Sequence, residues 1–333
     1  MALQQLPGKF AFETFLKETF VTAVGGGGRT SGAVHTNATT PAAWETFHLW
    51  LDLDRRINTQ ESPEGFFPYA IQTASKNYLT AVNGGGRTSD VLHTNATVPQ
   101  AWETFGLIPL VPPFSIYPDQ FNLTQDAPWY YAIATEKGNY LSALGGGGQT
   151  ADPALHSDAT KVGSWELFRL ICAGPLMSGR QYALRPVAGY SLAAGNGGGV
   201  GPFRRGLGLA ATNNIDRKSW EKFTLLQQPD GTFALRTVSG NFVTAVGSGG
   251  VPPIIANSGG QASDVFHTDA VQIGAWEKFR ILDQGDFTYV LQTDTGWFVG
   301  LLTTEGNTPL LRTDLMDIEQ AARWRLSPLL SEN

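Results

Sequence analysis

One short motif returns six times along this chain, and that repetition restricts its fold more than any other feature. Phe20-Val21-Thr22-Ala23 recurs as Tyr78-Leu79-Thr80-Ala81, Tyr140-Leu141-Ser142-Ala143, Tyr190-Ser191-Leu192-Ala193, Phe242-Val243-Thr244-Ala245 and, more worn, Trp297-Phe298-Val299-Gly300. A second marker follows each copy: Trp44-Glu45-Thr46-Phe47, Trp102-Glu103-Thr104-Phe105, Trp165-Glu166-Leu167-Phe168, Trp220-Glu221-Lys222-Phe223, Trp276-Glu277-Lys278-Phe279 and finally Trp324-Arg325-Leu326. The spacing from aromatic to Trp is 24, 24, 25, 30, 34 and 27 residues, with a Gly-rich run between the markers in the first five copies. Variable length confined to such runs places it in loops, where insertion costs little.

Within the second repeat the sequence predicts four short strands: Tyr69 to Thr73, Tyr78 to Val82, Val91 to Thr94 and Trp102 to Ile108. Each is rich in aromatic and branched residues, and turn formers separate them. The glycine run reads as the tight turn of a hairpin, because glycine reaches positive φ without a Cβ clash. With 39 Gly, 19 Pro and only 16% charged residues in 333, the composition suits many short strands and not long helices. Six four-stranded units admit either a six-bladed β-propeller or an all-β chain of two tandem β-trefoils, three repeats in each. The segment Cys172 to Gly179 separates three closely similar repeats from three others and favours the trefoils, with domains at residues 8–173 and 179–329. The side chains at Phe20, Tyr78, Tyr140, Tyr190 and Phe242, and at Phe47, Phe105, Phe168, Phe223 and Phe279, are expected in the core.

A formal charge of −6 argues against nucleic acid as a partner, since such binding draws on clustered Lys and Arg. No apolar run approaches the roughly 20 residues that span a bilayer, and the start resembles no secretory leader, so the expectation is a soluble protein, cytoplasmic or exported without a leader. Cys172 is the one cysteine. No nucleophile elbow, zinc-protease helix, phosphate-binding loop or Cys-x-x-Cys pair occurs, and no cofactor is implied. The Glu beside each Trp recurs five times, which fits a structural role better than catalysis, where one asymmetric pair of carboxylates is needed.

A strand followed by Gly-Asn-Tyr-Leu-Ser-Ala, as at Gly138 to Ala143, and closed by Trp-Glu-x-Phe resembles the fascin-like, actin-cross-linking type of β-trefoil. The resemblance extends along nearly the whole chain and implies a fold shared with actin bundlers and with sugar-binding modules. Fascins proper carry four trefoils, against two here. The Gln-x-Trp signature of ricin-type sugar-binding trefoils is missing from the repeat Trp positions.

Four of the five histidines fall nine residues before a repeat Trp: His35, His93, His156 and His267, with Ala211 at that spacing in the fourth repeat. Each is followed by Thr or Ser and then by Asn or Asp. The group reads as an imidazole and Asx turn closing a strand, as a shallow polar pocket for sugar hydroxyls, or as a three-imidazole metal site should the rings meet on an axis. Arg29, Arg87 and Gln149 follow the glycine runs of the first three repeats and present planar donors. The candidate ligand-binding set is therefore Arg29, His35, Asn37, Arg87, His93, Asn95, Gln149, His156 and Asp158, with glycan as partner and no metal or catalytic residue assigned. Actin or another protein bound as a scaffold, and an enzyme with its site between the two trefoils, are the alternatives. The Pro-rich stretch 109–128 and the inserts at 199–206 and 251–257 are further candidate contact surfaces.

Overall fold

The computed structural model describes residues 2–59, 65–110, 130–187, 189–201, 209–212, 219–252, 265–303 and 309–330. Most of the Pro-rich stretch and of both inserts lies outside these residues. The described residues form 25 strands joined by loops and three-residue 3-10 turns. Two compact units are present, Met1–Pro175 with Leu330–Asn333, and Leu176–Leu329. None of the described helical turns is long and apolar enough to cross a membrane.

In the first unit the repeats run Lys9–Thr14, Phe20–Ala23, Val34–Ala38, His48–Asp52; then Tyr69–Gln72, Tyr78–Ala81, Leu92–Ala96, Thr104–Leu110; then Tyr130–Ala134, Tyr140–Ala143, Leu155–Ala159, Leu167–Ala173. First and fourth strands alternate around a ring. Phe10 faces Phe47, Leu49 faces Ile71, Tyr69 faces Phe105, Leu107 faces Ile133, Tyr131 faces Phe168, and Leu170 returns to Phe12. This is a closed, antiparallel six-stranded barrel, and the second and third strands of each repeat form hairpins on it. Closure within three repeats defines a β-trefoil and excludes a propeller, whose four-stranded blades do not close on one another. An additional strand, Leu3–Gln5, pairs with the outer edge of His48–Asp52.

The second unit repeats the arrangement with Gln181–Pro186, Ser191–Ala194, Leu209–Thr212, Phe223–Gln227; Phe233–Arg236, Phe242–Ala245, Phe266–Ala270, Phe279–Asp283; and Tyr289–Thr293, Phe298–Leu302, Leu310–Leu315, Trp324–Pro328. Its ring closes through Tyr182 to Phe223, Leu225 to Leu235, Phe233 to Phe279, Ile281 to Leu291, Tyr289 to Trp324 and Leu326 to Leu184. The chain is thus two tandem β-trefoils.

Each barrel is filled at one level by aromatic pairs. Phe47, Phe105, Phe168, Phe223 and Phe279 are all buried, as are Phe20, Tyr78, Tyr140 and Phe242. Tyr190 departs from the expectation and is only half-buried, because Ser191, not Tyr190, opens the second strand and pairs across the hairpin. The His register moves in the same repeat: Ala193 faces Ala210, as Thr80 faces His93, so Ala210 and not Ala211 holds the histidine position. The sixth repeat is also out of step with its sequence alignment. Phe298 pairs with Gln292 as Tyr78 pairs with Gln72, so it fills the place assigned to Trp297. Trp324, fully buried, pairs with Tyr289 and therefore stands at the Phe position of Trp-Glu-x-Phe, which leaves Ala321 at the Trp position. The barrel requires an apolar ring at that level and accepts an indole for a phenyl.

The glycine run is not a tight hairpin turn. Ten residues separate Ala23 from Val34, and Gly25, Gly26, Gly27 and Gly28 all have positive φ, from 69° to 117°. The backbone swings away from its own repeat toward the next, where Ser75 N–H donates to Gly26 O at 3.0 Å. A Cβ on Gly85, at φ 101°, would sit 2.7 Å from Thr135 Cβ in the following repeat, whereas a Cβ on Gly25 meets nothing within 4 Å. Gly85→Ala is expected to cost about 3 kcal/mol or more and Gly25→Ala about 1 kcal/mol, read from denaturant unfolding midpoints.

Candidate functional site

The candidate residues come together across repeat boundaries. In the first unit Gly28 N–H donates to Thr94 O at 2.6 Å and Arg29 N–H to Thr94 Oγ1 at 3.2 Å, while Thr94 N–H returns to Arg29 O at 2.8 Å. The same three bonds join Gly86 and Arg87 to Ser157 (2.7, 3.2 and 2.9 Å), and Gly148 and Gln149 to Thr36 (2.7, 3.1 and 2.9 Å). Loop one grips repeat two, loop two grips repeat three, and loop three grips repeat one. The second unit shows the same contact from Gly199 and Val200 to Thr268, and Gly250 donates to Thr313 O at 2.7 Å.

Strand alternation then decides what each third strand exposes. Val34 and Thr36 point inward and are buried, while His35 is half-buried and Asn37 exposed on the opposite face, and the pattern is identical at His93, His156 and His267. The backbone bonds set Arg29 against the strand that carries His93 and Asn95, Arg87 against that of His156 and Asp158, and Gln149 against that of His35 and Asn37, which defines three polar groups in the first unit.

The polar atoms in these groups are partly committed to one another. Arg29 Nε donates to Ser31 O at 3.3 Å. Arg87 Nε donates to Ser89 O and Asp90 O at 3.1 and 3.0 Å, and its guanidinium lies 3.4 Å from the Asp90 carboxylate. Asp90 also meets His93 Nε2 at 2.7 Å, so in the second repeat one carboxylate links Arg87 and His93. His267 Nδ1 lies 2.5 Å from Asp269, whereas His156 Nδ1 is 3.9 Å from Asp158. The backbone amides of Gly28 and Arg29, which could have formed an anion corner, serve the inter-repeat grip instead. Among the described residues no three His, Cys, Asp or Glu side chains gather into a group that could hold a metal ion.

The Glu of the first, third and fifth closing motifs is structural. Glu45 accepts from Ala42 N–H at 2.9 Å with one oxygen and from the buried Thr22 hydroxyl at 2.7 Å with the other. Glu277 does the same with Gly274 and Thr244, at 2.8 and 2.7 Å, and Glu166 with Gly163 and Ser142. These bonds hold the 3-10 turns Ala43–Glu45, Ser164–Glu166 and Ala275–Glu277 against the hairpin. With Glu turned in, the preceding Trp turns out: Trp44, Trp102, Trp165 and Trp276 are 50, 47, 44 and 47% exposed. The signal was present in the sequence, because alternation counted back from the buried Phe places Glu inside and Trp outside.

No family model and no curated protein matches the chain. Solved structures similar to it include a designed three-fold symmetric protein, ThreeFoil, at 16% identity over 45% of this chain and 99% of that one, with a TM-score of 0.36. A mosquitocidal holotoxin is similar at 12% identity over 97% of this chain and 34% of its own, with a TM-score of 0.36. A Polyporus squamosus lectin bound to a human-type influenza-binding epitope is similar at 16% identity over 46% of this chain and 51% of its own, with a TM-score of 0.33. The trefoil assignment rests on the strand pairing described above.

The Glu geometry carries its own test. Glu45→Ala leaves two donors without their acceptor and is expected to cost about 2–4 kcal/mol, whereas Glu45→Gln retains one acceptor and is expected to cost about 1 kcal/mol, measured by denaturant unfolding.

Proposed function

We propose that this protein is a non-enzymatic carbohydrate-binding protein that uses the three polar groups of its first trefoil. The observation that carries the reading is their threefold recurrence: the backbone of Arg29, Arg87 or Gln149 in one repeat is bonded to the strand of the next repeat that carries a half-buried His and an exposed Asn or Asp. Such groups offer donors and acceptors together, the combination that sugar hydroxyls need. Three equivalent weak sites gain avidity on a repetitive polymer or glycan-coated surface, by about 10²–10⁴ where geometry permits simultaneous contact. Repetition also speaks against catalysis, which would require one group to differ from the others.

A glycan array read with the wild-type protein and with the Asn37→Ala, Asn95→Ala double variant tests this. Specific binding that weakens at least tenfold in the double variant is expected. A blank array for the wild type overturns the reading.

The second reading is a filament or scaffold protein, favoured by the resemblance of Gly138 to Ala143 and the Trp-Glu-x-Phe segments to fascin-like trefoils. Most of the residues carrying that resemblance lie in cores and turns. Co-sedimentation with filamentous actin tests it: on the carbohydrate reading the protein stays in the supernatant, and saturable pelleting would transfer the assignment to actin.

A further inference from the structure

A lone exposed hydrophobic residue needs no explanation, but four indoles exposed at one structural position do. Trp44, Trp102, Trp165 and Trp276 each stand in the middle of the same 3-10 turn, and each turn is fastened by the buried Glu that succeeds the Trp. Nothing in the barrel demands an aromatic there: in the sixth repeat Ala321 holds the position and the trefoil still closes.

The surroundings of these indoles are specific. A Cβ on Gly26 would lie 3.6 Å from Trp44 Cδ1, and one on Gly84 would lie 3.3 Å from both Cδ1 and Nε1 of Trp102. The pyrrole edge therefore rests on the glycine loop. Along the same loop the next repeat contributes polar groups. A Cβ on Gly28 would lie 3.8 Å from Asn77 Oδ1, and Asn77 Nδ2 donates to Asn95 O at 3.5 Å. At the second junction Asn139 occupies the same place beside Gly86 and donates to Asp158 O at 3.4 Å. Each of these junctions thus presents an open indole, then an amide side chain, then the exposed Asn95 or Asp158 of the polar group.

We infer that these tryptophans are stacking platforms for a neutral hexopyranose with equatorial hydroxyls, the repeating unit of a β-glucan. The inference rests on the carbohydrate-binding reading and assigns its ligand class. Equatorial substitution leaves a flat face of C–H bonds that packs on an indole, while the ring's edge hydroxyls reach the amides beside it. The junctions carry mixed charge: Lys76 at the first, Lys137 with an Arg55-paired Glu136 at the second, and Lys17 with Glu18 at the third. Neutrality of the ligand follows from the chain as a whole, whose formal charge of −6 opposes an anionic polymer.

The experiment is depletion of the full-length protein by insoluble β-1,3- and β-1,4-glucan. It compares wild type, the Trp44→Ala, Trp102→Ala, Trp165→Ala triple variant, the corresponding triple Phe variant, and the Asn37→Ala, Asn95→Ala variant. Each single Trp→Ala change is expected to weaken binding roughly 3–10-fold and the triple variant about 100-fold or more, while the Phe variant keeps a ring and loses less than about tenfold. A soluble β-1,4-glucan oligosaccharide is expected to shift wild-type tryptophan emission to the blue. That readout and the Phe variant decide the matter should the alanine triple variant fail to fold. Glycan binding that the Asn variant loses but the Trp→Ala variant retains overturns this inference and leaves the carbohydrate reading standing. A wild type that binds no glycan overturns both. Binding confined to sulfated or sialylated glycans, or Trp-dependent binding to phosphatidylcholine vesicles with none to glucan, also overturns it.

Discussion

The grip that one repeat's glycine loop takes on the third strand of the next underlies the rest of this structure. Gly28 and Arg29 on Thr94, Gly86 and Arg87 on Ser157, and Gly148 and Gln149 on Thr36 form a closed cycle, in which every repeat both holds and is held. A backbone that must turn away from its own hairpin through four successive positive φ values leaves little choice of residue. The buried hydroxyl of Thr36, Thr94 or Ser157 is the other half of the contact, since an inward polar group there needs a partner once water is excluded. A single four-stranded repeat has neither a closed sheet nor an acceptor for its loop, so the unit of folding is the set of three.

The same grip builds the outer surface. Because the loop crosses a repeat boundary, the backbone of its Arg or Gln is bonded to the strand of the following repeat that carries a His and an Asn or Asp, and at the first two junctions the Asn before that repeat's second strand reaches the loop as well. The symmetry of the scaffold is thereby copied into the symmetry of the surface groups. The first trefoil keeps the His and the Trp in all three repeats, whereas Thr19 stands where Asn77 and Asn139 precede the second strand. The second has diverged: Ala210 replaces the His in the fourth repeat, and Ala321 replaces the Trp in the sixth. Both changes leave the barrel closed, although Ala321 is itself buried against Val290, Phe298 and Leu315.

The repeat, its strands and the aromatic core were legible in the sequence because each rests on short-range patterning that any copy of the motif must satisfy. Phe47, Phe105, Phe168, Phe223 and Phe279 all lie where the pattern placed them. The structural role of the Glu was legible for the same reason. The candidate groups were legible as residue types at fixed spacings and not as sets, since nothing in the order of residues shows that Arg29 meets Thr94 and not its own third strand. The alignment slipped by one residue at Tyr190 and Trp297 and by three at Trp324. In each case an aromatic of the right kind stood near the required position, and sequence similarity cannot tell which of two neighbours points inward.

The sequence by itself determined six β-repeats, their core aromatics and the absence of known catalytic motifs, because hydrophobic alternation and turn chemistry act over a few residues. Only the tertiary structure decided that the barrels close in threes and that the glycine runs reach across to the next repeat. Those outcomes depend on hydrogen bonds and packing between residues about 50 to more than 100 positions apart, and the choice among partners at such distances is made by the folded barrel as a whole.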